Sequence, residues 1–192
     1  MTFRELSIPG VFAIEVEREN DERGYFGRIW CREEFAAHGM CVDMVQASVS
    51  HNRVAGTLRG MHFTWPPARE GKLVRCARGR VIDVLLDLRP DSPAFLRHIA
   101  VELDACLYNA AYIPPGVAHG FQTLIDDVHI IYMMTESYRA ELADGVRWDD
   151  PAFGIRWPLQ VSVMSERDRS YPDFDRTTHH RRFAASLADR GR

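Results

Sequence analysis

Residues 56–95 read GTLRGMHFTWPPAREGKLVRCARGRVIDVLLDLRPDSPAF and contain three short β-type segments separated by turn residues. In the last of them, 81–88, odd-numbered and even-numbered side chains point to opposite faces of an extended strand. Short strands about ten residues apart, with Gly, Pro and Asp between them, are typical of a sandwich or barrel. This stretch therefore predicts an all-β fold.

The same pattern continues on both sides of this stretch. The further strands that we predict lie at 26–30, 43–50, 98–103, 107–113 and 129–135. One helix is predicted at 32–39, with Gly39 at its C-terminal end. The run LIDDV, which contains Asp126 and Asp127, is expected to be a solvated turn.

The C-terminal segment differs from the rest of the chain, because it loses the strand period and turns basic. We expect a single domain over 1–175, followed by a helix or frayed tail over 176–192. His179 and His180 in this segment are expected to lie in solvent rather than to bind a ligand.

Composition excludes several classes of protein. The chain has 192 residues, 46% of them hydrophobic, which suits one domain with a sizeable core. A net charge of -3 argues against non-specific nucleic-acid binding. No apolar run approaches the ~20 residues of a membrane span, and the N-terminus is charged where a signal peptide is apolar. The four cysteines are widely spaced, which favours reduced thiols. We therefore expect a cytoplasmic protein without nucleic-acid or membrane partners.

The predicted strands carry an unusual number of polar side chains. They are Gln46, Arg59, His62, Lys72, Asp83, His119 and Tyr132. Taken singly, each is compatible with a hydrogen-bonded structural role, since a buried polar group is costly only when it is unpaired. Together they predict the lining of a polar cavity.

Residues 56–95 and the motif YIPPGVAHGFQTL at 112–124 resemble the RmlC family of nucleotide-sugar epimerases. Further matching pieces are DERGYF at 21–26, VQASVS at 45–50, RWDDPAFGIRWP at 147–158 and SERD at 165–168. The resemblance implies a cupin-like β-jelly roll (a double-stranded β-helix) with short peripheral helices. It also implies a homodimer, an active site inside the barrel that uses no cofactor and no metal, and a nucleoside-diphosphate sugar as substrate.

The family's chemistry can be compared with the residues present. In a 4-keto sugar the C3 and C5 hydrogens are acidic, so epimerisation needs a base, a group that stabilises the enolate oxygen and an acid on the other face. The resemblance makes His62 the base and Asp168 the carboxylate that orients it, with Asp83 as the alternative. Lys72 would stabilise the oxyanion, with or without His119. Tyr132 would be the acid.

The resemblance also assigns residues to substrate binding. They are Arg23, Phe26, Gln46, Arg59, His119 and Tyr138. Arginine suits a diphosphate because its guanidinium can make paired, charge-assisted hydrogen bonds. Phe26 would pack near the nucleotide base.

Several positions depart from the family pattern. The substituted residues are Arg28, Ala47, Ser48, Thr64, Met133 and Ala143. Because these are mostly recognition positions, the nucleotide, the sugar and the number of inverted carbons stay open. The alternatives are a C3- or C5-only epimerase and a 3,4-ketoisomerase.

Two other classes of protein share parts of this pattern. A metal-dependent cupin oxygenase would use His62, Glu70 and His119, but Thr64 stands where such enzymes carry a second histidine. A sugar-nucleotide binding module without turnover would not need a base and a phenol together.

Overall fold

A computed structural model describes residues 1–188 of the chain. This part contains thirteen strands and three helices. In chain order they are β1 (Thr2–Glu5), β2 (Phe12–Glu15), β3 (Glu19–Asp21), β4 (Gly24–Phe26), α1 (Arg32–Ala37), β5 (Gln46–Asn52), β6 (Leu58–Thr64), β7 (Lys72–Arg78), β8 (Arg80–Asp87), β9 (His98–Asp104), β10 (Ala110–Ile113), β11 (Val117–Thr123), β12 (Val128–Met134), β13 (Ala143–Gly145), α2 (Glu166–Arg169) and α3 (Arg176–Ala188).

Two antiparallel sheets carry most of these strands. The six-stranded sheet has the order β1-β2-β10-β7-β12-β5, and the five-stranded sheet has the order β13-β6-β11-β8-β9. Strands β3 and β4 form a separate hairpin. The sheets share a core in which Val74 and Ile130 of one sheet belong to the same buried cluster as Phe121 of the other. The all-β prediction is therefore confirmed.

Strand β8 follows the alternation that its sequence predicts. Its residues Val81 and Leu85 lie in the core between the sheets, whereas Val84 and Leu86 belong to a second cluster on the outer face. Both faces are buried because residues 146–183 cover the outer face of the five-stranded sheet. This accounts for a strand that is apolar on both sides.

Helix α3 contradicts the expectation that His179 lies in solvent. The His179 ring is buried, and its Nε2 lies 2.7 Å from the Leu88 carbonyl oxygen. The aromatic rings within about 6 Å of it are those of Phe63, Trp65, Phe95, Phe174 and Phe183. Its neighbour His180 is half-buried against Phe95. The basic residues of this segment favoured a solvent-exposed position for His179, but one face of α3 covers the five-stranded sheet. Residues 189–192 lie outside the described part, and the boundary at 175 stays a prediction.

The local predictions succeed unevenly. Helix α1 ends as predicted, since the Gly39 amide donates to the Ala36 carbonyl at a φ of +74°. The predicted strand at 26–30 is wrong, because only Phe26 belongs to a strand. The Ile29 carbonyl instead accepts a hydrogen bond from the Arg75 guanidinium, and Trp30 packs against α1. No helix within residues 1–188 is long and apolar enough to cross a membrane.

Candidate active site

A cavity of about 330 Å³ opens between the two sheets. Its lining residues are Ser50, Arg59, His62, Phe63, Thr64, Glu70, Lys72, His119, Phe121, Tyr132, Met134, Tyr138, Ala143, Asp144 and Arg167. Five of the seven polar strand residues that the sequence singled out are in this set. The inward faces of both sheets therefore build the polar cavity that the sequence predicts.

The first functional pair joins strand β6 to helix α2. His62 Nε2 lies 2.7 Å from Asp168 Oδ1, and the Asp168 side chain is only 4% exposed. Ser165 holds this carboxylate in place because it caps α2 by accepting a hydrogen bond from the Asp168 amide. The Gly60 amide donates to Asp168 Oδ2. Asp168 rather than Asp83 is thus the partner of His62.

The electrostatics of this pair favour an ionised carboxylate. Burial alone would raise the pKa of Asp168, but the hydrogen bonds from His62 and Gly60 and the charge of His62 lower it below its ordinary value. An ionised carboxylate can only accept a hydrogen bond, so Nε2 of His62 carries the hydrogen that it shares with Asp168. The other ring nitrogen, Nδ1, is then available to accept a proton.

Glycine is required where β6 passes β11. A Cβ on Gly60 would lie 2.4 Å from the Gly120 Cα, and the backbone of Gly60 has a φ of +127°. This close approach accompanies a shift of register between His119 and Phe121, next to the position where His119 pairs with His62. The two imidazole-bearing positions are therefore neighbours across the strands.

The second histidine has its own carboxylate. His119 Nδ1 lies 3.2 Å from Asp83 Oδ1, and both side chains are buried. Burial lowers the pKa of His119, and the nearby positive charge of Lys72 acts in the same direction, whereas Asp83 opposes both. His119 is therefore neutral near pH 7. A neutral imidazole has one N–H, and at Nδ1 this group donates to the Asp83 carboxylate.

The remaining two groups with assigned chemistry project from the six-stranded sheet. Burial raises the pKa of Tyr132, and the negative charge of Asp83 raises it further, so the phenol stays protonated. Lys72 Nζ lies 2.9 Å from Glu70 Oε1, which also accepts a hydrogen bond from the Thr64 hydroxyl. The cavity thus has the His62 imidazole, paired with a carboxylate of α2, on one sheet and a phenol and an ammonium on the other.

The predicted binding residues fall into two groups. Arg59 and Tyr138 line the cavity, and Gln46 is nearby because its side-chain oxygen accepts a hydrogen bond from the Tyr138 amide. Arg23 and Phe26 lie on the β3–β4 hairpin, where Arg23 pairs with Asp21 and Phe26 is 73% exposed. In the part of the chain that the structure describes, neither of them lines the cavity.

Sequence reasoning missed several lining residues. Arg167 precedes Asp168 in SERD, and its guanidinium donates to the Ala143 carbonyl. Asp144 accepts hydrogen bonds from the Trp65 indole and the Arg182 guanidinium. For Arg167, its place in a matched motif was the available signal.

The three residues of the alternative oxygenase site do not converge. Among residues 1–188, the only group that brings three His, Cys, Asp or Glu donor atoms within 4.8 Å of one another is His51, Asp127 and His129. Glu70 is instead engaged by Lys72 and Thr64.

Fold and site together define a cupin-like enzyme whose cavity is equipped to move protons. A family model described as dTDP-4-dehydrorhamnose 3,5-epimerase matches residues 5–176, and the chain belongs to this family of isomerases. The predicted resemblance and the cupin-like jelly-roll fold are thereby confirmed.

Individual relatives agree with this assignment. A dTDP-4-dehydrorhamnose 3,5-epimerase from Sinorhizobium fredii is 41% identical over 173 residues, which cover 90% of this chain and 89% of that protein. The structure of NovW, a 4-keto-6-deoxy sugar epimerase from Streptomyces spheroides, superposes with a TM-score of 0.85 at 33% identity. This match covers 100% of this chain and 91% of that one.

A mono-epimerase is also similar to this chain. ChmJ, a 3′-monoepimerase from Streptomyces bikiniensis solved with dTDP-quinovose, gives a TM-score of 0.82 at 30% identity. The match covers 97% of this chain and 89% of that one. The relatives are thus dTDP-sugar epimerases of deoxysugar biosynthesis that act on one or two carbons.

Proposed function

We propose that this protein epimerises a nucleoside-diphosphate 4-keto-6-deoxyhexose at C3, C5 or both, through an enolate and without a cofactor. The observation that carries the proposal is the placement of His62, paired with Asp168 of α2, on one sheet and of Tyr132 on the sheet across the cavity. A sugar ring bound between the sheets would present one face to the imidazole and the other to the phenol.

The first step is proton abstraction by His62. Its unprotonated nitrogen takes the proton from a carbon next to the ketone, and the electron pair of that C–H bond forms the carbon–carbon double bond of the enolate. The carbonyl electrons move to O4, where the Lys72 ammonium stabilises the negative charge. Asp168 stabilises the imidazolium that His62 becomes.

The second step returns a proton to the opposite face. The enolate carbon takes the phenolic proton of Tyr132, its electron pair forms the new C–H bond, and the ketone is restored. A raised pKa keeps Tyr132 protonated until the enolate, a stronger base, has formed. Solvent then reprotonates Tyr132 and removes the proton from His62.

Substrate binding is proposed to need two copies of the chain. Arg59, Gln46 and Tyr138 lie at one cavity, whereas Arg23 and Phe26 are exposed on the β3–β4 hairpin. A homodimer in which the hairpin of one chain reaches the cavity of the other would unite them. An aromatic side chain that is 73% exposed is a reasonable contact for a partner.

A C3- or C5-only reaction is the second candidate. The structural similarity to the mono-epimerase ChmJ and the departures at recognition positions support this candidate. We also propose a cytoplasmic location, which the four free cysteines support, since a reducing compartment maintains thiols.

The decisive experiment is proton NMR of dTDP-4-keto-6-deoxyglucose incubated with the enzyme in heavy water. Deuterium uptake at C3 and C5 with inversion of both carbons would support the 3,5-epimerase, and uptake at one carbon would support the mono-epimerase. If no uptake occurs, the same test with the cytidine-linked sugar decides whether the nucleotide or the reaction is wrong.

The variant His62→Ala should lose about 10²–10⁴-fold in turnover while it still binds nucleotide, because it lacks the base but keeps the anchors. His98→Ala is the matched control, since it removes a half-buried imidazole from β9, outside the cavity. Turnover of His62→Ala near the wild-type rate would refute the mechanism.

A further inference from the structure

Two histidines face each other on the outer side of the six-stranded sheet. His51 on β5 and His129 on β12 are direct register partners, and their ring centroids are 4.7 Å apart. Side chains alternate along a strand, and Ser50 and Tyr132 line the cavity. His51 and His129 therefore point away from the cavity, so their role is separate from the proposed reaction.

A carboxylate approaches both imidazoles from the turn that precedes β12. Asp127 Oδ1 lies 2.9 Å from His51 Nε2 and 3.7 Å from His129 Nε2. The second distance is too long for a hydrogen bond, so this oxygen hydrogen-bonds only one of the two rings that converge on it. One donor atom from each of the three residues lies within 4.8 Å of the others.

These separations are close to those that a metal ion requires. Tetrahedral Zn²⁺ with bonds of 2.0–2.1 Å to nitrogen and oxygen places its ligand atoms about 3.3 Å apart. Small side-chain rotations would therefore be enough to form the site. The backbone of Asp127 has a φ of +58°, in the left-handed region that aspartate tolerates better than most residues.

The surroundings favour one particular arrangement of the carboxylate. Arg78 Nη2 lies 2.6 Å from Asp127 Oδ2, which directs the other oxygen toward the histidines. The His51, Asp127 and His129 side chains are 50%, 45% and 38% exposed, so solvent can reach the centre of the group. Water could thus complete the coordination.

From this geometry we propose that His51, Asp127 and His129 bind a divalent transition-metal ion, with Zn²⁺ the expected occupant. Two imidazole nitrogens and one carboxylate oxygen suit Zn²⁺, Ni²⁺ or Cu²⁺, whereas Mg²⁺ and Ca²⁺ prefer an all-oxygen set. The ion would join the edge strand β5 to β12 and to the turn before it. Its effect is on the stability of this edge and not on proton transfer.

Calorimetric titration of the metal-free, full-length protein with Zn²⁺ tests the proposal. We expect one ion per chain, and affinity that falls at least about tenfold in His129→Ala and in Asp127→Asn, since each removes one ligand. His98→Ala, which lacks an imidazole on a different strand, should bind as the wild type does. The proposal is overturned if the wild type binds no Zn²⁺, or if the two variants bind it with unchanged affinity.

Thermal denaturation supplies an independent readout. Zn²⁺ should raise the Tm of the wild type and of His98→Ala but not that of His129→Ala. The exposed thiols of Cys41 and Cys106 are the competing ligands. Zn²⁺ held by these thiols would still bind, and still shift the Tm, in His129→Ala, and this result would contradict the proposal.

Discussion

The two groups proposed to transfer protons, His62 and Tyr132, differ in how the fold holds them. His62 is paired with a buried carboxylate that helix α2 positions, whereas Tyr132 is held away from water near the negative charge of Asp83 and keeps its proton. The first arrangement stabilises a positive charge on the imidazole, and the second disfavours a negative charge on the phenol. This difference suits one residue to accept a proton and the other to donate one.

Replacement of Tyr132 by phenylalanine should separate proton exchange from inversion. His62 can still remove a proton and return one to the same face, so solvent deuterium should enter the substrate without a change of configuration. Inversion should fall about 10²–10⁴-fold, since the acid on the other face is missing. NMR in heavy water measures both quantities in one experiment.

Tyr112→Phe is the matched control for this variant. It also removes the hydroxyl of a buried tyrosine, but this hydroxyl accepts a hydrogen bond from the Cys41 amide, outside the cavity. Exchange and inversion should both persist there. If Tyr132→Phe inverts the carbon at the wild-type rate, another group is the acid.

The pair His62–Asp168 should also contribute to stability in a pH-dependent way. The pKa of Asp168 in the folded protein lies below its ordinary value of 3.8, so the fold favours the charged form. This stabilisation is complete above that ordinary value and is lost as the pH falls through the lower, folded-state pKa. The Asp168→Asn variant should therefore have a free energy of unfolding about 1–3 kcal/mol lower than that of the wild type at pH 7.

Urea denaturation across the pH range checks this prediction. The difference between wild type and Asp168→Asn should shrink toward zero as the pH is lowered from 4 to about 2. A difference that is the same at both ends would mean that packing, and not the charge of Asp168, stabilises the site.

At the scale of single residues, the groups with distinctive chemistry could be identified from the sequence. His62, Lys72, His119 and Tyr132 are polar residues within apolar strands, and the structure brings them to one cavity. Only the family resemblance favoured Asp168 over Asp83, because this pairing depends on where a short helix docks, 106 residues along the chain from His62. Arg167 and Asp144 were missed because surface charges of this kind are common.

At the scale of elements, helix α3 completes the outer face of the five-stranded sheet. Burial lowers the pKa of His179, so its neutral ring can donate from Nε2 to the Leu88 carbonyl within the aromatic cluster. His179→Ala should cost about 2–3 kcal/mol in the free energy of unfolding, from lost packing and from an unsatisfied carbonyl. Arg181→Ala, an exposed position on the same helix, should change it by less than about 0.5 kcal/mol.

Equilibrium urea unfolding of the two variants measures these free energies. Equal effects would mean that α3 lies loosely on the sheet and that its aromatic contacts contribute little. The helix also touches the cavity wall, since Arg182 pairs with Asp144 and lies over the Trp65 ring. Loss of α3 packing should therefore also disturb the wall of the cavity.

Strands were predictable where alternation or an apolar run was long. Strand β8 follows its alternating pattern on both faces. Strand β11 is not among the predicted strands, since its residues were used only as part of the motif at 112–124, although all seven of them are buried. At 26–30 the sequence has the composition of a strand. In the structure, however, the Ile29 carbonyl accepts a hydrogen bond from the buried Arg75 guanidinium and not from a neighbouring strand. Such long-range side-chain contacts leave no local signal, so composition alone misplaces the strand.

At the scale of the whole molecule, the β3–β4 hairpin carries two assigned binding residues away from the cavity of its own chain. The Arg23 side chain is 85% exposed, and within residues 1–188 its ion-pair partner is Asp21 alone, two residues away. Arg23→Ala should lower kcat/KM roughly 10–100-fold if it binds a diphosphate, since charge-assisted hydrogen bonds contribute about 1.5–3 kcal/mol. Steady-state kinetics would detect this loss but could not say which chain's cavity is served.

Mixed dimers answer that question. If Arg23 serves the partner's cavity, a dimer of one His62→Ala chain and one Arg23→Ala chain has one intact site and one site with both defects. Co-expressed with different affinity tags and purified through both, this dimer should recover about half of the wild-type turnover. If Arg23 serves its own cavity, each site carries one defect, and activity falls to about half of that of the Arg23→Ala dimer because only one site keeps His62. That low value, or a monomer in sedimentation, would remove the basis for the proposed homodimer.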